Sequence, residues 1–418
     1  MITSKTRIAH SFVGIALITL IASCSTQVPD HSKLQRELTD SLALLSKTAD
    51  FNGFGVALVG PQGVLYQGGF GMADVAKNIA YTENTVQPIA SISKTFIGLA
   101  VMKAQELGKL KLDDPVSKYL PFAVINPHHP DVPITIRHLA THTSSIVDTD
   151  DYLHRSYVLA DTMDLVADLA MDLDGVRFSA PAASISMEDF LRNYLAKDGA
   201  WYGDSAFLST TPGERFAYSN IGATLAALVV EKAAGIPFDA FTQLHILDPL
   251  GMRASGWHVE SAPDTALTVQ YSDGTTPYPR YRLITYPDGG FTTCAADMAN
   301  YMAELAKGYR GEGTLMSKAG YAEYFRKQLS DAHFEEPPTD MFDDHNIGIF
   351  MSFGSEGFVG HGGGDPGTLS LLYIDTKTML GRYMIVNTDL EDNVRFFQVW
   401  ELLGRYTDRL SGSVGAGQ

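Results

Sequence analysis

Leu34, Leu38, Leu42 and Leu45 recur at three- and four-residue intervals among polar neighbours, a period that predicts an amphipathic helix needing a surface to cover. Two apolar runs of strand character follow, 54–59 and 63–69, separated by the turn sequence Gly60-Pro61-Gln62. Far downstream, 369–374 and 380–386 are again apolar runs; the polar turn Asp375-Thr376-Lys377-Thr378 joins them into a predicted hairpin. Val394, Phe397, Trp400 and Leu403 then repeat at helical spacing on a last helix that closes near Leu410. Between the hairpins the pattern turns helical. The stretch 95–109 is apolar nearly all round, as an interior helix would be, and 134–142, 221–234 and 238–246 also read as helices. Ser186, followed three residues later by Asp189, predicts a capped helix start running through Leu195.

Strands at both ends of the chain with helices between them predict an α+β fold. One antiparallel sheet would be assembled from N- and C-terminal segments, flanked by the terminal helices, with a mostly helical subdomain inserted. The expected organisation is a tether over 24–33, one domain over 34–410 with its helical insert at about 92–285, enlarged at 146–211, and a flexible Ser/Gly tail over 411–418.

Residues 1–23 stand apart. Lys5 and Arg7 precede the apolar stretch 12–21, which ends in Ile21-Ala22-Ser23-Cys24: a positive flank, a short apolar core and small residues before a cleavage point describe a secretory signal. The stretch is short for a membrane span. A cysteine directly after Ile-Ala-Ser resembles the bacterial lipobox, which implies lipidation of Cys24. Ser25 after it, rather than Asp, implies an exported protein anchored in the outer membrane and facing the periplasm.

With 45% hydrophobic and 19% charged residues, the composition is that of an ordinary globular protein. The net charge of −17, with no run of Lys or Arg, lacks the electrostatic footprint of nucleic-acid binding. Losing residues 1–23 would make the chain more acidic still. Cys24 and Cys294 are the two cysteines, so a lipidated Cys24 leaves Cys294 without an internal disulfide partner. With no histidine beside it to activate it, Cys294 is expected to be a buried core thiol.

Three short patterns, each occurring once and in this order, carry the chemistry: Ser91-Ile92-Ser93-Lys94, Tyr218-Ser219-Asn220 and His361-Gly362-Gly363. Ser91 sits at the start of the interior helix, and Lys94 follows it by one turn on about the same face. A serine hydroxyl is a poor nucleophile until a neighbour takes its proton. Lys94 can do so if burial or a positive neighbour lowers its pKa, and Tyr218 can do so if nearby cations favour its phenolate. Asn220 offers an amide that both donates and accepts, suited to holding a substrate carbonyl. The segment 360–364 predicts an edge strand with no side chain beyond His361, so that a substrate can approach the backbone. The N–H groups of Ser91 and Gly364 are the candidate oxyanion donors, each worth about 3 kcal/mol in such sites.

In these motifs the chain resembles the serine β-lactamase and penicillin-recognising family, in its class C-like branch of β-lactamase-related esterases, DD-peptidases and D-aminopeptidases. The supporting segments are 137–144, 212–216 and 247–252, and the similarity runs from about Phe51 to Asn387. The resemblance implies a β-lactamase/transpeptidase-like fold and a serine hydrolase working through an acyl-enzyme on small-molecule or peptide esters or amides. In that scheme Ser91, Lys94 and Tyr218 are catalytic, while Asn220, His361, Gly363 and Gly364 bind substrate. His361 and Gly362 stand where the family often has Lys-Thr, which argues against efficient β-lactam hydrolysis. A penicillin-binding DD-carboxypeptidase or weak β-lactamase is the second reading, and a non-catalytic penicillin-binding-like sensor the third. The insert 146–211 holds Tyr152, Tyr157, Phe178, Tyr194, Trp201 and Tyr202, which either line a substrate cleft or pack an enlarged subdomain.

No cofactor or metal is expected. His138 and His142 have the spacing of a zinc helix, but Leu139 stands where glutamate would be needed, and His128-His129 lack a third ligand cluster. Tyr271-Ser272-Asp273 mimics the second motif with the wrong third residue. The glycines of 360–364 lack the Lys-Ser/Thr of a phosphate loop.

Overall fold

The computed structural model describes residues 30–160, 176–258, 266–335, 348–354 and 357–415. The signal segment, Cys24 and part of the 146–211 insert lie outside these residues.

The chain begins with α1 (His31–Leu45), whose Leu34, Leu38 and Leu42 are buried. The helix starts within the expected tether because Asp30 caps it, accepting from the Ser32 N–H. Next come β1 (Gly53–Gly60), β2 (Gly63–Asp74) and the short β3 (Ile79–Ala80). The sheet resumes only at β4 (Ser352–Phe353), β5 (Phe358–Asp365), β6 (Thr368–Asp375) and β7 (Gly381–Val386). The seven strands lie in the order β3-β2-β1-β7-β6-β5-β4, every neighbouring pair antiparallel. The first and last long strands pair at the centre, Phe54 opposite Val386 and Val59 opposite Gly381, so the sheet closes only when the chain's ends meet.

Alternation along these strands divides two cores. Phe54, Val56, Leu58, Leu371, Tyr373, Met384 and Val386 face α1 and the C-terminal helix Val394–Gly415. Ala57, Val59, Leu372, Ile374, Tyr383 and Ile385 face the helical region. The C-terminal helix continues beyond Leu410 through part of the expected tail, because its inner face goes on finding partners: Leu410 is buried and Ser413 Oγ lies 2.9 Å from His31 Nδ1.

Between Ala80 and Ser352 lie α2 (Ser93–Glu106), α3 (Met187–Leu195), α4 (Asn220–Ala234) and α5 (Ala295–Tyr309). The helical portion therefore runs past 285. Within it, α5 returns to the inner face of β1, β2 and β7; Gly55 and Gly381 give it room, since a Cβ there would meet Ala295 and Met302. Helix α2 is buried on nearly every side and packs on α4, as its unbroken apolar surface requires. Ser186 caps α3 by accepting from the Asp189 N–H at 3.0 Å. The stretch 134–142 is helical only over Ile136–Ala140, because His142 (φ 54°) and Ser145 (φ 65°) turn the chain into left-handed geometry. Cys294 is a buried free thiol whose pKa burial pushes up to about 11.

Candidate active site

The 3₁₀ turn Ala90–Ile92 leads straight into α2 and packs against β5 and β6, which sets Ser91 between the sheet edge and the helical region. Ala90 has φ 51°, a left-handed conformation that costs a non-glycine residue of order 1 kcal/mol and turns Ser91 toward the cleft. Lys94, fully buried one turn on, places Nζ 3.0 Å from Ser91 Oγ and 2.6 Å from the backbone carbonyl of Asp288. A Cβ on Gly363 would stand 2.5 Å from Ile89 O, 2.6 Å from Ser370 Oγ and 3.0 Å from the Ser91 nitrogen, so only glycine lets β5 come this close to the serine. Strand β4 pairs with β5 only at Val359 and Gly360, so the stretch 361–365 forms the sheet edge among the described residues. A Cβ on Gly364 would meet open space.

Tyr218 enters from the segment before α4, and His142 fixes that segment on both sides. Its carbonyl accepts from the Ala217 N–H at 2.8 Å, its Nδ1 accepts from the Ser219 N–H at 3.1 Å, and its ring stacks on Tyr218 at 4.5 Å. Burial, reinforced by the charges of Lys94 and His361, holds the His142 pKa well below the usual value, which suits a neutral ring accepting at Nδ1. Lys94 Nζ lies 5.1 Å from the Tyr218 ring centroid. His361 is fully buried, its Nδ1 against the Gly362 carbonyl and its ring 6.4 Å from that of Tyr218. The structure thus brings all three motifs to one place, with His361 beside the phenol.

Asn220 opens α4, and its position rests on Asp148, which the sequence analysis did not single out. The Asp148 carboxylate accepts from Asn220 N at 2.9 Å, Asn220 Nδ2 at 2.8 Å, Ile221 N at 3.0 Å and Ser219 Oγ at 3.2 Å. A carboxylate at a helix N-terminus satisfies N–H groups that have no intrahelical partner and sits well in the helix dipole. Burial pushes the Asp148 pKa up, against these N–H donors and Lys94.

Asp288 is the second residue missed. Its enclosed carboxyl accepts from Thr224 Oγ1 at 2.9 Å, one turn along α4 from Asn220, and from the Tyr152 hydroxyl at 3.2 Å. Burial raises its pKa to about 7, opposed first by the Lys94 charge. Asp365 follows Gly364 on β5 and accepts from the Tyr157 hydroxyl at 2.6 Å; burial brings it too to about 7. Ser91, Asn220 and Gly364 open on a cleft of about 480 Å³ that Tyr152, Tyr157 and the two aspartates also line. The aromatics of the insert therefore divide: Tyr152 and Tyr157 reach the cleft, while Tyr194, Trp201 and Tyr202 pack the subdomain. No group of three metal-ligating side chains occurs among the described residues.

Residues 42–402 match the family model described as Beta-lactamase. Penicillin-binding protein 4* of Bacillus subtilis is 24% identical over 362 residues, spanning 83% of this chain and 70% of that protein. Esterase EstB of Burkholderia gladioli is 31% identical over 221 residues, 52% of this chain and 50% of the esterase. Among solved structures, the octameric penicillin-binding protein homologue from Pyrococcus abyssi superposes with a TM-score of 0.66 at 24% identity, covering 90% of this chain and 78% of that one. These likenesses place the fold.

Proposed function

This chain belongs to the Beta-lactamase family, and from that premise we propose that it is a serine hydrolase cleaving ester or amide bonds through an acyl-enzyme on Ser91. The observation that carries the reading is the buried Lys94 amine 3.0 Å from Ser91 Oγ, with Asn220 and Gly364 opening on the same cleft. Oγ attacks the substrate carbonyl carbon and forms the new C–O bond as its proton passes to Lys94 or to the Tyr218 phenolate. The carbonyl electron pair moves onto oxygen, held by the N–H groups of Ser91 and Gly364. Collapse breaks the bond to the leaving group, which departs with that proton, and water then releases the acid by the same steps. Asn220, fixed by Asp148, holds the acyl side. His361 acts through Tyr218, beside which it is buried.

Reaction with a fluorophosphonate probe, read by intact mass and peptide mapping, is expected to label Ser91. An unlabelled Ser91 together with absent ester turnover would leave a binding protein instead. A penicillin offered in parallel tests the peptidase or β-lactamase reading: with Gly362 in place of a hydroxyl residue, little stable adduct is expected.

Cys24 after Ile21-Ala22-Ser23 further supports export and lipid anchoring in an outer membrane, facing the periplasm. Metabolic labelling with a fatty acid should mark the wild-type chain and not Cys24→Ser; equal labelling of both discards the anchor.

A further inference from the structure

The wall of the cleft carries one charge sign. Asp288, Asp365 and Asp389 line it, and among the described lining residues there is no lysine, arginine or histidine. Two of these carboxylates are fully engaged by the protein. Asp288 takes the Thr224 and Tyr152 hydroxyls, and Asp389 takes the Tyr278 hydroxyl and the Gly367 N–H at 2.7 Å. Asp365 differs. Its Oδ1 accepts from Tyr157, but Oδ2 is enclosed and accepts from no donor. The neighbouring Tyr281 hydroxyl lies 3.1 Å from the Pro366 carbonyl and also faces the Asp365 carboxyl. A buried carboxylate oxygen without a donor is costly unless a ligand supplies one.

Aromatic rings cluster beside this carboxylate, with Tyr157 on the cleft and Tyr281 on a smaller adjoining cavity. Tyr157, Phe178 and Tyr281 form a mutual cluster, with centroid separations of 6.1 Å (Tyr157 to Phe178), 5.2 Å (Phe178 to Tyr281) and 5.6 Å (Tyr157 to Tyr281). Carboxylate and ring faces together are the surroundings an alkylammonium group prefers, one through ion pairing and the other through the ring quadrupole. Asp365 also forms the partition to a smaller cavity of about 190 Å³ that Tyr281 lines.

We propose that the cleft selects ester or amide substrates bearing an aliphatic ammonium group, which is seated against Asp365 and the Tyr157–Tyr281 rings one strand residue beyond the Gly364 oxyanion donor. This inference rests on the serine hydrolase reading and adds the substrate class. Anionic acyl groups are disfavoured by the same wall, which presents three carboxyl groups and, among the described lining residues, no cationic side chain on the cleft surface, Lys94 lying buried behind Ser91 and Asp288.

The test compares four methyl esters with the full-length protein near neutral pH: alanine, N,N,N-trimethylalanine, N-acetylalanine and N-succinylalanine. Both cationic esters are expected to exceed the acetyl ester in kcat/KM by at least about tenfold, with the succinyl ester lowest. Preference for the primary amine alone assigns the pocket to a free amino terminus; equal preference for the trimethyl ester assigns it to onium groups generally. Asp365→Asn should cut the ratio of cationic to acetyl kcat/KM by about tenfold. Equal turnover of acetyl and cationic esters, or a ratio unmoved by Asp365→Asn, overturns the proposal. Should that variant not fold, choline and 3,3-dimethylbutanol are compared as inhibitors of the wild-type protein on the acetyl ester; equal inhibition constants overturn it equally. Ser91 labelled by a fluorophosphonate without cation preference sinks this inference alone. If Ser91 is unlabelled and no ester turns over, the hydrolase reading fails and the inference falls with it.

Discussion

The floor of the cleft and its wall are built on different principles. The floor, Ser91 with Lys94 and the glycines of β5, is held by backbone: a turn entering a buried helix, and a strand that approaches it because Gly363 has no side chain. The wall, Asp288, Asp365, Tyr152 and Tyr157, is held by side-chain hydrogen bonds reaching over more than a hundred residues, from the insert to Asp288 and to β5. A floor of this kind leaves no room for a side chain at Gly363. A wall of this kind can be rebuilt while the chemistry stays, which is how one family could serve many substrates.

Removing the nucleophile should separate the two regions most sharply. Ser91→Ala is expected to abolish turnover of a p-nitrophenyl ester, a loss of at least about a thousandfold, while leaving affinity for non-reactive cationic ligands of the wall within about twofold. Residual turnover near the wild-type rate would remove Ser91 from the mechanism. Gly363→Ala comes next. Its methyl group would meet Ile89 O and the Ser91 nitrogen, so β5 must withdraw and the oxyanion donors with it. A fall in kcat of about a hundredfold, with a lowered Tm, is expected, and unchanged kcat would show that the close approach is dispensable.

The same contrast explains what could be read before the structure. Ser91, Lys94, Tyr218, Asn220 and the glycines of β5 lie within short motifs whose chemistry depends on local spacing, and the hairpins and α4 follow from periodicity within one segment. That strands from both ends share one sheet was legible from their apolar patterns, while the central pairing of β1 with β7 comes from the structure. Asp148 and Asp288 gave no such signal: Asp148 acts on residues 72 positions away, and Asp288 on Thr224 64 positions away, so neither has a local pattern. Asp288 stands alone in the uncharged stretch Tyr286-Pro287-Asp288-Gly289-Gly290, whereas Asp148 is masked by Asp150 and Asp151 just after it. The shortening of the 134–142 helix was hidden too, because the left-handed turn at His142, whose ring stacks on the distant Tyr218, has no local pattern. The insert's aromatics could not be divided by sequence, since ring size is the same for a cleft wall and a core.

Asp148 joins floor to wall, and its loss should show an intermediate effect. Asp148→Ala removes the acceptor of four hydrogen bonds at the start of α4, so about 1–2 kcal/mol of stability and about tenfold in kcat/KM are expected to go. Asp148→Asn keeps the shape, and partial rescue of kcat/KM without full rescue of Tm would mark positioning of Asn220 as the reason. Equal recovery of both would reduce Asp148 to a helix cap.

The smallest expected effect is the most specific to the wall. Buried Asp288 has a folded pKa of about 7, above the ordinary carboxylate value, so between those two pH values the folded state holds a proton that the unfolded state has lost. Its contribution to stability is therefore fully present at acid pH below the unfolded value and declines as pH rises toward 7. Asp288→Asn, isosteric and never charged, should gain Tm relative to wild type as pH is raised from about 4 to 8, by a few degrees. The Asp288 charge also favours the protonated Lys94 ammonium, so its removal should let that amine give up its proton sooner and move the acid limb of kcat/KM to lower pH. A limb that stays in place while the Tm difference follows pH would mean that the proton from Ser91 goes to Tyr218. A limb that moves would assign it to Lys94, the choice that the geometry of the floor leaves to the wall.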